Sequence, residues 1–281
     1  MCAAALLKPA EGEPAHVVVE IVIRFKNSAT TLPGVLESLA SQSFRDYRII
    51  GVDTGSTDGS VDLIRKAGGR VIHWEKPYSH PGALNFGIEL CTAPLVLALS
   101  SHTAFEAPDV LGQLVAAFDD PAVACVSGKW DEDPFYSDVV DWPELQAKGL
   151  KLGSIYSNSM GMIRREWWIA APFDETIEYA EDYAWAVDQL SRGRKCMRLT
   201  FPFRYERAKH GRSYFVSLAV FTIAKRHGVK VAWLGPRQTA QKIASLWLKR
   251  LMASSAEAKE LLTVELGEHL GKFKAWQHSR R

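Results

Sequence analysis

The chain has 281 residues, a formal net charge of +2, 47% hydrophobic residues and 23% charged residues. This balance excludes a disordered or fibrous chain, and so small a net charge gives no footing for a nucleic-acid partner. The length suits one large α/β domain with an appendage.

The charge is uneven: Arg237–Arg281 holds 9 Lys+Arg and 4 Glu, so this tail carries +5 and the remainder −3. The cysteines Cys2, Cys91, Cys125 and Cys196 are scattered without a CxxC pair, so neither a zinc site nor a disulfide framework is expected, and a reducing compartment fits. The opening MCAAALLKPAEGEPAH has too short an apolar run for a signal peptide, and no apolar stretch reaches the ~18 residues that span a bilayer. A cytoplasmic protein is expected, peripheral at the inner face of the membrane if it meets one.

In chain order, residues 1–15 read as a flexible leader. His16–Arg24 is a strand, and Thr31–Gln42 a helix with Leu32, Val35, Leu36 and Leu39 at helical spacing and Pro33 in its first turn. Ile49, Ile50 and Val52 form a buried strand that ends in Asp53. Gly55 and Gly59 allow a tight turn, with Ser56, Thr57 and Asp58 as N-cap candidates for a helix over Val61–Lys66. Strands follow at Arg70–Trp74, Pro94–His102, Val123–Trp130 and Cys196–Phe203. Helices are expected over Pro81–Cys91, Pro108–Phe118 and Ile177–Arg192, the last opened by Glu178, Glu181 and Asp182 and ended by Gly193. Asp131–Gly153 is acidic and aromatic and reads as an excursion from the core. Ser154–Trp168 brings the chain back to the sheet, and the chain from Ser213 on is helical. Strands alternating with helices indicate a parallel, doubly wound sheet.

In open α/β sheets ligands bind outside the carboxyl ends of the strands. Three polar clusters fall there or in the loops that follow: Asp53, Ser100-Ser101-His102, and Glu181-Asp182 with His210. Taken singly, each is ordinary turn or capping chemistry.

Their order is similar to that of the inverting family 2 glycosyltransferases, over roughly residues 17–212. IVIRFKNSATTLPGVLESLASQSF resembles the opening strand, Asn and Leu-rich helix ending in Gln-x-Phe. IIGVDTGSTDGS resembles the nucleotide-binding strand and turn, and GALNFGI the helix that carries a family Asn. LALSSHTAF stands where the metal-binding Asp-x-Asp stands, and FDETIEYAEDYAW resembles the acceptor-side helix with its Glu-Asp pair.

The resemblance implies an α/β fold of the GT-A (nucleotide-diphospho-sugar transferase) type: a doubly wound mixed sheet with a helical C-terminal extension. It divides the chain into a catalytic domain over 16–212 (nucleotide-binding half 16–102, acceptor half 103–212) and a helical region over 213–281. It implies transfer of a sugar from a nucleoside-diphosphate sugar to a glycan or lipid-linked acceptor hydroxyl, with inversion, in polysaccharide or other cell-surface glycan synthesis. Phe25 and Asp53 would contact the nucleobase, with Asn27, Gly55, Ser56 and Ser101 in the nucleotide-sugar site and Asn85 near the diphosphate or sugar. Asp182 would be the general base, with Glu181 raising its pKa.

The metal position departs from the family pattern. Ser100-Ser101-His102 replaces Asp-x-Asp, so a divalent ion (Mn or Mg) would rest on His102 and His210, a set better suited to Mn²⁺ than Mg²⁺. The alternative is a metal-free site in which Arg164, Arg165 or Lys209 covers the diphosphate. The Ser-x-His resembles that of bacterial polysaccharide transferases of the family, together with a Ser-Asn…Arg-Arg-x-Trp segment like Ser157–Trp167. Leu84, where many members carry a basic residue, removes one phosphate contact.

Two competing functions remain on the sequence. A catalytically inactive GT-A-like protein that binds nucleotide or glycan is motivated by the missing Asp-x-Asp, but it has no need of Asp182. A nucleotidyltransferase wants a glycine-rich loop after the first strand, where this chain has RFKNSATT. In the tail, Ile243, Leu246, Trp247 and Leu251 are expected on one helical face, with Lys242, Lys249 and Arg250 polar. That face lies on an anionic membrane or packs against protein.

Overall fold

A computed structural model describes residues 17–130, 134–151, 155–206, 213–232 and 235–279. The expected leader, His210 and Lys209 lie outside these residues. The elements are β1 Val19–Phe25, α1 Leu32–Ala40, β2 Tyr47–Asp53, α2 Ser60–Lys66, β3 Arg70–His73, α3 His80–Glu89, β4 Leu95–Ser100, β5 Thr103–Phe105, α4 Val110–Ala116, β6 Val123–Gly128, β7 Val139–Val140, α5 Trp142–Lys148, β8 Met160–Arg164, α6 Arg165–Ala170, α7 Glu181–Ser191, β9 Lys195–Leu199, β10 Phe203–Tyr205, α8 Ser213–His227, α9 Gly235–Met252 and α10 Ala256–Ser279. They fall into two compact units, Met1–Trp142 with Gly153–Arg207, and Pro143–Leu152 with Ala208–Arg281.

The first unit is built on an eight-stranded sheet in the order β3-β2-β1-β4-β8-β6-β9-β7. Strands β1 to β4 are parallel, while β8 runs antiparallel between β4 and β6 and β7 runs antiparallel beside β9. The sheet is therefore mixed. Strand β8 follows the Asp131–Gly153 excursion and enters between β4 and β6 in the opposite sense to both. That excursion is not wholly outside the core: Val140 is fully buried in the edge strand β7.

Alternate residues of β1 face opposite layers. Val19, Ile21, Ile23 and Phe25 pack with Leu32, Val35 and Leu39 of α1 and with Leu111 and Leu114 of α4. Val22 and Arg24 face the other layer, where α3 lies so close that a Cβ on Gly87 would sit 2.7 Å from Val22 Cγ1 and Val52 Cγ2.

The strand expected through His102 ends at Ser100. Thr103–Phe105 turn away and pair with Phe203–Tyr205 in a separate two-stranded ribbon. The N-cap of α2 is Gly59 at φ 84°, and Asp58 instead accepts from the Ser60 and Ala29 backbone N–H groups. The expected helix over 177–192 begins only at Glu181, because Ala180 takes φ 65° and breaks it, so Glu178 is no part of its first turn.

In the second unit, α10 packs against α8 and α9, and Leu150 is tied to the backbone at Lys230 and Ala232. Helix α9 does not present one apolar face: Leu246 is buried (1%), while Trp247 and Leu251 are exposed (49% and 65%), as are Leu248 and Met252.

Candidate active site

The parallel strands β1, β2, β3 and β4 end side by side at Phe25, Asp53, His73 and Ser100, because Phe25 pairs with Asp53, Asp53 with His73, and Arg24 with Ser100. Hydrogen bonds stitch the loops beyond this edge into a continuous rim. Asp53 Oδ1 accepts from Ser56 N at 3.0 Å, and Ser56 Oγ accepts from Asn27 N at 3.0 Å. Asn27, at φ 48°, takes the Thr57 N–H on its Oδ1. Ser28 N donates to Ser60 Oγ, and the Ser28 and Ser101 hydroxyls meet at 3.0 Å. Ser100 N donates to Ser159 O at 3.0 Å, and the adjacent Asn158 N donates to Asp182 Oδ2 at 2.9 Å. Asp53, Ser101 and Asp182, far apart in sequence, thus lie on one edge of the sheet.

The two carboxyls that open α7 differ in surroundings. Glu181 is 8% exposed, and burial together with the Asp182 charge raises its pKa to about 8. It keeps its proton at neutral pH. Burial also raises the Asp182 pKa, opposed by the N–H groups of Asn158 and Tyr183 and by the Arg24 charge. Burial would raise Asp53 as well, but hydrogen bonds from Ser56, His73 and Gly55 outweigh it and hold that carboxyl below its ordinary value. The pKa of His102, whose ring lies 4.9 Å from that of Tyr205, is pushed down by burial and by the Arg24 charge, against the opposing charge of Glu206.

Other expected residues are placed differently. Phe25 is 2% exposed and packed in the core, so its ring has no face to offer a base. Asn85 donates from Nδ2 to Phe173 O and Glu175 Oε1 and accepts on Oδ1 from Trp168 Nε1 and Phe173 N. Every bonding position of its amide is filled by protein, leaving none for a diphosphate. Arg164 pairs with Leu95, at the amino end of β4, and donates to Phe118, Asp120 and Val123 carbonyls. The Arg165 N–H donates to Pro94 O at that same far edge. Neither arginine reaches the rim. Gly55, at φ 99°, forms the turn as expected, with Lys26 Nζ 4.0 Å from where its Cβ would be.

Among the described residues no three His, Cys, Asp or Glu side chains gather as metal ligands. The Ser101 hydroxyl is engaged by Ser28, and the carboxylate whose charge reaches His102, that of Glu206, brings the described candidates there to two. The described donor set alone does not fit a divalent ion.

Sequence reasoning missed Arg24, His73 and Asn158. Arg24 was legible as a charge at the carboxyl end of an apolar strand. His73 and Asn158 carry no such signal, since only strand order and the antiparallel entry of β8 bring them to the rim. The scattered Cys125 and Cys196 also meet, with their Sγ atoms 3.2 Å apart on paired strands β6 and β9.

The sequence model of Glycosyl transferase family 2 matches residues 20–169, more than half of the chain. The chain belongs to that family. Within family 2, it is 34% identical over 103 residues to a PGL/p-HBAD biosynthesis glycosyltransferase of Mycobacterium bovis, a match covering 35% of this chain and 40% of that protein's length. It is 25% identical over 114 residues to the O-antigen chain rhamnosyltransferase of Salmonella typhimurium, covering 40% of this chain and 36% of that protein. Among solved structures it resembles a mannosyltransferase of Pyrobaculum calidifontis in complex with GDP-Man and Mn2+, at TM-score 0.61 and 19% identity over 98% of this chain and 88% of that one. It also resembles S. aureus TarS 1-349 in complex with UDP-GlcNAc, at TM-score 0.57 and 15% identity over 93% and 91%. At these identities the structural likeness shows the fold, which is the GT-A type expected for family 2. The chain is thus a member of Glycosyl transferase family 2, and it spans less than half the length of these two relatives.

Proposed function

We propose that the protein transfers a sugar from a nucleoside-diphosphate sugar to an acceptor hydroxyl with inversion, in polysaccharide or other cell-surface glycan synthesis. The observation that carries this reading is the placement of Asp182, fixed by Asn158 N at 2.9 Å on the same rim as Asp53. Asp53 holds the nucleoside end, where its ionised carboxylate accepts from ring N–H or hydroxyl groups. The acceptor hydroxyl gives its proton to Asp182 as its oxygen attacks the anomeric carbon, and the diphosphate leaves from the opposite face. Glu181 keeps its proton, so the pair presents one negative charge to the acceptor. The leaving diphosphate develops charge, and among the described residues Lys26, beside the Gly55 turn, and Arg24, which donates to His80 O at 2.9 Å, are cations at the rim.

The test is Asp182→Asn. Transfer is expected to fall by ~10²-fold or more while nucleotide binding persists. A variant that still turns over would remove Asp182 as the base, and a wild-type protein that binds nucleotide without transfer would favour the inactive binding protein.

The acceptor is proposed to be a glycan or lipid-linked saccharide met at the inner face of the membrane. No described helix is long and apolar enough to cross a bilayer. Support for surface attachment comes from Trp247, Leu248, Leu251 and Met252, exposed together at the end of α9 beside Lys249 in the tail that carries +5. This corrects the face expected from the sequence, in which Leu246 was included.

A further inference from the structure

Glu181 and Asp182 open α7 side by side, and both meet Asn158 in the loop before β8. The Asn158 backbone N–H donates to Asp182 Oδ2 at 2.9 Å, and the side-chain Nδ2 lies 3.4 Å from Glu181 Oε1. The other end of the same carboxamide, Oδ1, is buried and finds no hydrogen-bond donor among the described residues. A buried acceptor left without a donor is costly, so its presence asks what proton it takes. Glu181 is the neighbour that can supply one. An ionised carboxylate only accepts, whereas a carboxylic acid carries an O–H. Acid and carboxamide complement each other edge to edge, amide N–H to acid carbonyl and acid O–H to amide oxygen. Asn158 thus suits a charged Asp182 with its backbone and a neutral Glu181 with its side chain.

We propose that Asn158 is a positioning residue that decides which of the two carboxyls carries a proton, accepting the Glu181 O–H on Oδ1 while its backbone N–H goes to Asp182. The proposal rests on the reading of Asp182 as the base. Burial raises both carboxyls, and two like charges side by side oppose double ionisation, so the pair keeps one proton at neutral pH. A proton on Asp182 would leave the acceptor hydroxyl without a base, and the carboxamide keeps it on Glu181 instead. The other groups around the pair do not make this choice. Arg24 from β1 acts by its charge on both carboxyls in the same direction. Helix α7 packs against α3, β6 and β9. From these come His80, whose ring lies 6.3 Å from that of Tyr179, and the buried thiols of Cys125 and Cys196. The Cys125 thiol and the Tyr156 phenol are pushed up by burial and stay uncharged.

The experiment compares kcat against pH for wild type, Asn158→Ala, Glu181→Gln and the double variant. NMR of isotope-labelled glutamate carboxyls, with the Glu181 resonance assigned by its absence from Glu181→Gln, follows that proton directly. Melting curves check folding, and Asn158→Ser, which also lacks the carboxamide, replaces an alanine variant that does not fold. In Asn158→Ala the Glu181 resonance is expected to titrate about one pH unit lower, the scale of one hydrogen bond. At pH 7 kcat should fall by up to about tenfold with KM for the donor unchanged, because part of the proton passes to Asp182. The loss should shrink as pH rises and the pair gives up its proton. The same substitution in the Glu181→Gln background should cost little, since the glutamine amide has no proton to pass. If Asn158→Ala costs the same in both backgrounds, or the Glu181 titration does not move, the side chain does not place the proton and the proposal is overturned. A titration that moves to higher pH overturns it too, because the carboxamide then favours the ionised acid through Nδ2. If Asp182→Asn turns over like wild type, the base reading itself has failed, whatever Asn158→Ala shows, and the proposal falls with it.

Discussion

The backbone N–H of Asn158 donates to Asp182 Oδ2 at 2.9 Å, across 24 positions of sequence. Asn158 precedes β8 and Asp182 opens α7, so this bond joins the antiparallel strand to the helix that carries the proposed base. Asp182 Oδ1 takes Tyr183 N at 2.7 Å, which fixes the second oxygen. In the proposed reaction this fixes the carboxylate that receives the acceptor's proton.

Glu181 and Asp182 are expected to respond very differently to amide substitution. Glutamine is the neutral isostere of a protonated glutamate, so Glu181→Gln should keep kcat within a few-fold of wild type at pH 7. Asp182→Asn, assayed in parallel, should lose ~10²-fold or more. Equal losses in the two variants would mean that Glu181 is ionised in the working enzyme.

The Glu181 carboxyl also ties stability to pH. Its folded pKa of about 8 lies above the ordinary glutamate value of 4.5, so the folded state binds this proton more tightly than the unfolded chain. The resulting stabilisation is fully present below pH ~4.5 and is lost as pH rises through ~8. In urea titrations between pH 5 and 8, wild type should lose stability steadily as pH rises, and Glu181→Gln should show a flatter profile.

Asn85→Ala should act on stability and leave the site's affinity alone. Removing the amide strands the Phe173 backbone groups and the Trp168 indole N–H, at a cost of about 2–4 kcal/mol. Denaturant midpoints should fall accordingly, while the Kd for nucleoside diphosphate in the folded protein stays unchanged. A selective loss of nucleotide affinity would restore Asn85 to the donor site.

Gly161→Ala should damage both. A Cβ there would collide with Ser157 O and the Tyr156 ring, and Ser157 immediately precedes Asn158. Overpacking of this kind costs about 1–3 kcal/mol. Any relief by shifting residues 157–158 moves the N–H that fixes Asp182. Transfer activity of the folded variant should fall along with its melting temperature.

The exposed end of α9 makes a separate claim. Trp247→Glu with Leu251→Glu should reduce co-sedimentation with anionic vesicles, because it removes apolar surface and adds negative charge to a basic tail. Transfer to a water-soluble acceptor should be unchanged. Unaltered sedimentation would remove the membrane surface from the proposal.

Most of the strands and helices were legible because β-branched runs and helical spacing are local signals. The strand ending in Asp53 and the helix with Leu32, Val35 and Leu39 are examples, and both fall where expected. The helix start at Glu181 was missed by four residues, since a left-handed Ala180 leaves no mark in composition. Phe25 and Asn85 were read as ligand contacts because residue type and motif position say what a side chain can bond. They do not say whether protein has already filled those bonds.

By itself the sequence determined the α/β alternation, the family and the polar clusters at strand ends, all of which follow from local pattern and chain order. Only the tertiary structure decided that β8 runs antiparallel, that Arg164 faces the far edge, that Asn158 seats Asp182, and that His73 stands against Asp53. Each of these depends on which strands become neighbours and in which sense. Burial and pairing energies summed over the whole sheet settle that choice, and no short stretch of sequence carries it.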